Sequence, residues 1–154
     1  MTNVLALRVA ALLGFLAIAL GALGAHGLNN LLERNQTTAI WEKAVFYQFI
    51  HVVMLFVLAA AAVRGPSSGA GSEDAGGPAG PLPAERTAGG SKASALEWWG
   101  RGPWWCFLVG VLVFSGSLYL LAVTNARWLG AITPVGGASF LAGWLWLALE
   151  KAKG

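Results

Sequence analysis

The sequence predicts an all-α fold: a four-helix transmembrane bundle of two helical hairpins joined by a disordered cytoplasmic loop. Three observations predict it. Of 154 residues, 56% are hydrophobic and 11% charged, whereas an average soluble domain is about 25% charged and a small one needs ample polar surface. Four apolar segments are each long enough to cross about 30 Å of hydrocarbon at about 1.5 Å per residue. Between the second and third lies a stretch dominated by Gly, Pro, Ser and Ala.

The first span covers residues 4–25, with Arg8 as its single charge near the start. Its apolar run, 9–25, has 17 residues, longer than the usual core of a signal peptide, so a retained helix is expected. The second span, 44–63, and the third, 104–124, contain no Asp, Glu, Lys or Arg. The fourth, 128–149, is also uncharged. In it Thr133 is a candidate cap and Pro134 suits a first helical turn, which puts the helix start near Pro134 and leaves 128–132 at the interface. Each span must be helical, because only a helix satisfies every backbone group inside one segment. The chain is read as a single membrane domain, 1–154.

Residues 65–95 form the linker. Of these 31 residues, 24 are Gly, Pro, Ser or Ala. Such a segment buries too little apolar surface to offset its ordering entropy, so disorder and dispensability for folding are expected.

Orientation follows from the basic residues. Arg8, Arg64, Arg86, Lys92, Arg101, Lys151 and Lys153 fall on one side, against Arg34, Lys43 and Arg127 on the other. That bias puts both termini in the cytoplasm. The net charge of +3 is scattered, with no basic stripe, so it is read as this topological bias and no nucleic-acid partner is expected. Trp98, Trp99, Trp104 and Trp105 bracket one interface, and Trp41 and Trp128 mark the other as anchors. Cys106, the single cysteine, excludes an internal disulfide and reads as a small buried hydrophobe.

Small residues predict packing faces, since helices in lipid associate where backbones approach closely. These are Gly14, Ala17, Gly21 and Ala25 on the first span, Gly110 on the third, and Gly136 and Gly143 on the fourth. The candidate intramembrane polar site is His26, Tyr47, Gln48, His51, Ser117, Tyr119 and Ser139. Tyr47, Gln48 and His51 share one helical face. Counted from Lys43, His51 lies about 12 Å below the outer interface, and counted from Asn125, Ser117 lies as deep. The expected arrangement is one polar layer, with His51 pointing inward and bonded to Ser117, Tyr119, Ser139, Gln48 or His26. It reads either as a hydrogen-bonded clasp, or as a proton relay, a small-ligand site or a bis-histidine haem site through His26 and His51.

At these residues the chain resembles a small bacterial inner-membrane family, the YgdD type, classed as domain of unknown function 423. The matching stretches are LGALGAHGL at 20–28, Tyr47 and Gln48 with His51, VFSGSLYLLA at 113–122, and ITPVGGASFLAGW at 132–144. The linker is longer than the connection usual in that family. The resemblance implies a four-helix protein of the bacterial inner membrane and transfers no catalytic residue.

There is no Gly-rich phosphate loop, no His-Glu-x-x-His metal motif and no nucleophile elbow. Glu42 beside Lys43 reads as a solvated interfacial pair. No catalytic residue, metal or cofactor is expected. The first functional expectation is a non-enzymatic structural or accessory protein of the bilayer, with a membrane-protein partner or a second copy of itself. The alternatives are a small-solute or proton-coupled transporter acting as an oligomer, and a haem-binding redox subunit.

Overall fold

A computed structural model describes residues 3–64 and 102–149. The 65–95 linker, its expected disorder included, lies outside them. Among the described residues there is no strand. Helix α1 (Asn3–Ala22) runs on as a π-helical turn over Leu23–Gly27. A short helix, α2 (Asn29–Asn35), follows, and then α3 (Thr38–Arg64). Helix α4 (Gly102–Thr124) contains a second π turn, Val111–Ser115. A 3-10 turn, Arg127–Ala131, leads into α5 (Thr133–Leu149). Helix α1 with its π turn, α3, α4, and α5 with its preceding 3-10 turn are each long and apolar enough to span a membrane.

Two of these boundaries correct the sequence reading. The second span begins at Thr38, six residues before the expected 44, because Glu42 and Lys43 sit on its exposed face and do not interrupt it. Helix α2 was not anticipated. Thr133 is the first residue of α5 and not its cap; its hydroxyl donates back to the Leu129 carbonyl at 3.4 Å.

The segment from α2 to α3 closes the C-terminal end of α4. A helix leaves its last carbonyls without intrahelical donors. Here Thr37 Oγ1 donates to the Ala122 carbonyl at 2.8 Å, and Asn35 Nδ2 lies 3.1 Å from the carbonyls of both Ala122 and Val123. Asn125, in the left-handed conformation at φ 56°, ends the helix and donates its N–H to Leu121, as Asn at such a position commonly does.

Neighbouring helices run antiparallel. Between α4 and α5 the register is fixed by Ser117 against Thr133, Gly136 against Phe114, Gly110 against Phe140 and Gly143 against Phe107. Between α1 and α3 it is fixed by Gly14 against Val52, Gly21 against Val45 and Gly24 against Trp41. The main core joins Ala10, Val52, Leu55, Trp104, Phe107, Val111 and Phe140. A smaller core, near the C-terminal end of α4, joins Leu32, Trp41 and Ala122. Helices α3 and α4 are the more buried, while Phe15 on α1 and Leu141 on α5 are about 70% exposed, as lipid-facing side chains are. Residues Val4, Val63, Gly102 and Leu149 consequently end on one side of the bundle.

On α1 the face turned to α3 carries Ala10, Gly14, Ala17, Gly21 and Gly24, with spacings that alternate between four and three. A 3.6-residue helix keeps one seam only when the two spacings alternate. Ala25, expected on this packing face, is instead exposed, and Gly24 takes the packed position.

Candidate functional site

The polar residues expected in one layer lie at several depths. His51 is buried and stands thirteen residues from Thr38 and twelve from Val63, at the centre of its span. It therefore lies about 20 Å from the start of α3. Its level on α4 is that of Phe107, a ring contact at 5.7 Å, and not that of Ser117. The expected depths equated Lys43 with Asn125, but the C-terminal end of α4 overhangs both neighbours.

His51 does point inward, but its hydrogen-bond partners are others than those expected. Its Nδ1 donates to the Tyr47 carbonyl one turn earlier at 2.8 Å, and Trp144 Nε1–H donates to its Nε2 at 3.3 Å. A carbonyl can only accept and an indole N–H can only donate. The ring is thus the neutral tautomer protonated at Nδ1. Its face stacks on Phe140, with centroids 3.6 Å apart and planes 10° from parallel. Both nitrogens are engaged, so neither is an open haem-ligand position. His26 is exposed, in the π turn. Trp144 was not singled out from the sequence; its position four residues after Phe140, one turn further on the same face, is the signal that was present.

His51→Phe is expected to keep the stack on Phe140 and lose both hydrogen bonds. The cost should be about 1 kcal/mol, within the range found for interhelical bonds in lipid. Thermal melting in detergent measures this, and nitrogen chemical shifts of the wild-type ring should show Nδ1 protonated. A ring protonated at Nε2 would contradict the tautomer assigned here.

Gln48 is the better-connected group. It is buried, and its Nε2 donates to the Leu13 carbonyl on α1 at 3.0 Å. Its Oε1 accepts from the Tyr119 hydroxyl on α4 at 2.9 Å. One side chain thereby ties three helices. Tyr119 also meets Trp41 edge-on, with centroids 4.7 Å apart. Trp41 is buried and donates from Nε1 to the Leu20 carbonyl at 3.0 Å, across Gly24. It locks α1 to α3 and is no interfacial anchor, whereas Trp128 is 68% exposed, as an anchor should be.

Three serines also end on neighbours, whereas Trp104 Nε1 is buried without a hydrogen-bond partner among the described residues. Ser115 Oγ donates to the Ala44 carbonyl of α3 at 3.0 Å. Ser139 Oγ donates to the Cys106 carbonyl of α4 at 2.8 Å. Ser117 pairs with Thr133 at 3.0 Å. Tyr47 is more than one-third exposed on the lipid side, 4.8 Å from the Phe114 ring. Of the expected set, only Gln48 and Tyr119 bond directly to each other; Tyr47 meets His51 through its backbone carbonyl. Among the described residues no group of three His, Cys, Asp or Glu is placed to hold a metal.

Comparison with known proteins agrees with this architecture. The family described as "Protein of unknown function (DUF423)" matches residues 20–77 and 87–137. The chain belongs to this family. The break in the match, 78–86, falls inside the 65–95 linker. A UPF0382 membrane protein of Staphylococcus haemolyticus is 35% identical over 143 residues, 93% of this chain and 91% of the relative. The UPF0382 membrane protein YwdK of Bacillus subtilis is 35% identical over 138 residues, 90% of this chain and 88% of the relative. A UPF0382 membrane protein of Haemophilus influenzae is 32% identical over 147 residues, 96% and 93% respectively. No solved structure matches the chain. With relatives that are membrane proteins and four membrane-long apolar helices, this family member is a multi-pass membrane protein.

Proposed function

We propose that this protein is a non-enzymatic accessory component of the bacterial inner membrane, acting through contacts in the plane of the bilayer. The observation that carries the reading is the destination of the intramembrane polar groups. Gln48, His51, Ser115, Ser139 and Trp41 each end on a carbonyl or side chain within the bundle. Polar groups in hydrocarbon that are satisfied this way fasten helices together. The surface left for function is then the apolar exterior of α1 and α5. The bias of basic residues supports an orientation with both termini in the cytoplasm.

Affinity purification of the full chain from native membranes in mild detergent tests the reading. The expected result is one membrane protein recovered in fixed stoichiometry, also when that partner is the tagged species, and lost on substituting Leu141 and Leu145 on the lipid face of α5. Solute-dependent uptake into liposomes containing the chain alone would replace this reading with transport. A haem absorption band in the purified protein would replace it with redox function.

A further inference from the structure

A cleft of about 410 Å³ opens toward lipid between the end of α1 and the start of α3. Its lining changes character with depth. Asn29, Thr38 and Glu42 stand at the outer mouth, while Gly21, Val45 and Phe49 line the inner part. From Thr38 to Phe49 is eleven residues, so the cleft follows the membrane normal for about 16 Å. Gly21, Gly24 and Ala25 keep the α1 wall free of bulk. The π turn over Leu23–Gly27 carries Gly24 and Ala25 into that wall.

The mouth is rich in acceptors. The carboxyl oxygens of Glu42 are acceptors, and among the described residues Glu42 has no ion pair. Asn29 uses its amide nitrogen on Glu33 at 3.1 Å, which leaves its amide oxygen as an acceptor. An apolar slot under an anionic, acceptor-rich mouth complements an amphipath with an apolar chain and an ammonium head. We propose that the cleft binds one bilayer aminophospholipid, with an acyl chain along Val45 and Phe49 and the ammonium at Glu42.

The test uses the full chain reconstituted in vesicles of equal phosphatidylethanolamine, phosphatidylglycerol and phosphatidylcholine, then extracted in mild detergent. Retained lipid is counted by native mass spectrometry. One phosphatidylethanolamine per chain is expected, enriched about fivefold over the other two, the ratio given by an interfacial ion pair of about 1 kcal/mol. Glu42→Gln should bring the three lipids to about equal retention. Ala25→Trp, at an exposed position, should fill the cleft and abolish retention with the melting temperature unchanged. Dodecylamine, an ammonium amphipath without phosphate, should displace the bound lipid. Preference for phosphatidylglycerol, no preference in the wild type, or retention that survives Ala25→Trp in a folded protein would overturn the proposal. So would failure of dodecylamine to compete.

Discussion

Gly136→Ala is expected to destabilise the bundle by about 3 kcal/mol, the upper end of the usual cost of overpacking. An added Cβ would stand 2.8 Å from the Phe114 Cα and closer still to its backbone nitrogen. A side chain in the way can swing aside, but a helix backbone cannot, so α5 would have to move off α4 along its whole length. Gly143→Ala should cost less, because its added Cβ meets only the Phe107 ring, at 2.8 Å. Gly21→Ala should be close to neutral, with Val45 at an ordinary 3.5 Å. Gly116→Ala meets nothing within 4 Å and should be neutral or stabilising by up to about 1 kcal/mol, since Ala is the better helix former. Thermal melting of the four variants in one detergent ranks them. If Gly136→Ala melts with Gly116→Ala, the close approach of α5 to α4 is wrong.

The order of that series shows what a sequence can and cannot disclose. The presence of four helices was legible because hydrocarbon leaves an apolar segment no other way to satisfy its backbone. The small residues were legible as packing positions for the same solvent reason. Their ranking was not, since it depends on whether the opposing atom is backbone, as at Gly136, or a rotatable side chain, as at Gly21. The polar site was half legible. His51 and Gln48 stood out as polar groups in an apolar run, yet their partners depend on register. Depths counted from Lys43 and Asn125 assumed that all helices end at one level. Asn35 and Thr37 cap the end of α4, so α3 begins at Thr38 and α4 projects beyond α5. Each level is thereby displaced by two or more turns: Ser117 falls opposite Thr133, and His51 opposite Phe107 and Trp144. Trp41 was misread for a related reason. A tryptophan near a span end is usually an anchor, but Gly24 opposite it opens the space that buries its ring.

Gln48→Leu is the substitution expected to loosen the junction of three helices, at a cost of about 1–3 kcal/mol. Leu has similar bulk, so the loss is one of bonding rather than of volume. The Leu13 carbonyl belongs to the interior of α1 and retains its own helix as a source of donors, so losing the Gln48 donor there is the smaller effect. The Tyr119 hydroxyl is different. Its acceptor is Gln48 Oε1 at 2.9 Å, and hydrocarbon offers no replacement for it. Most of the cost should therefore come from stranding Tyr119. A double-mutant cycle separates the two contributions. Tyr119→Phe alone should cost about 1 kcal/mol and keep the edge-on contact with Trp41. Gln48→Leu introduced into Tyr119→Phe should then cost about 1 kcal/mol less than in the wild type, because no hydroxyl remains to be stranded. Additive costs would mean that Gln48 acts through α1 alone, and that α1, α3 and α4 are joined here by packing and not by the hydrogen-bonded chain from Leu13 through Gln48 to Tyr119.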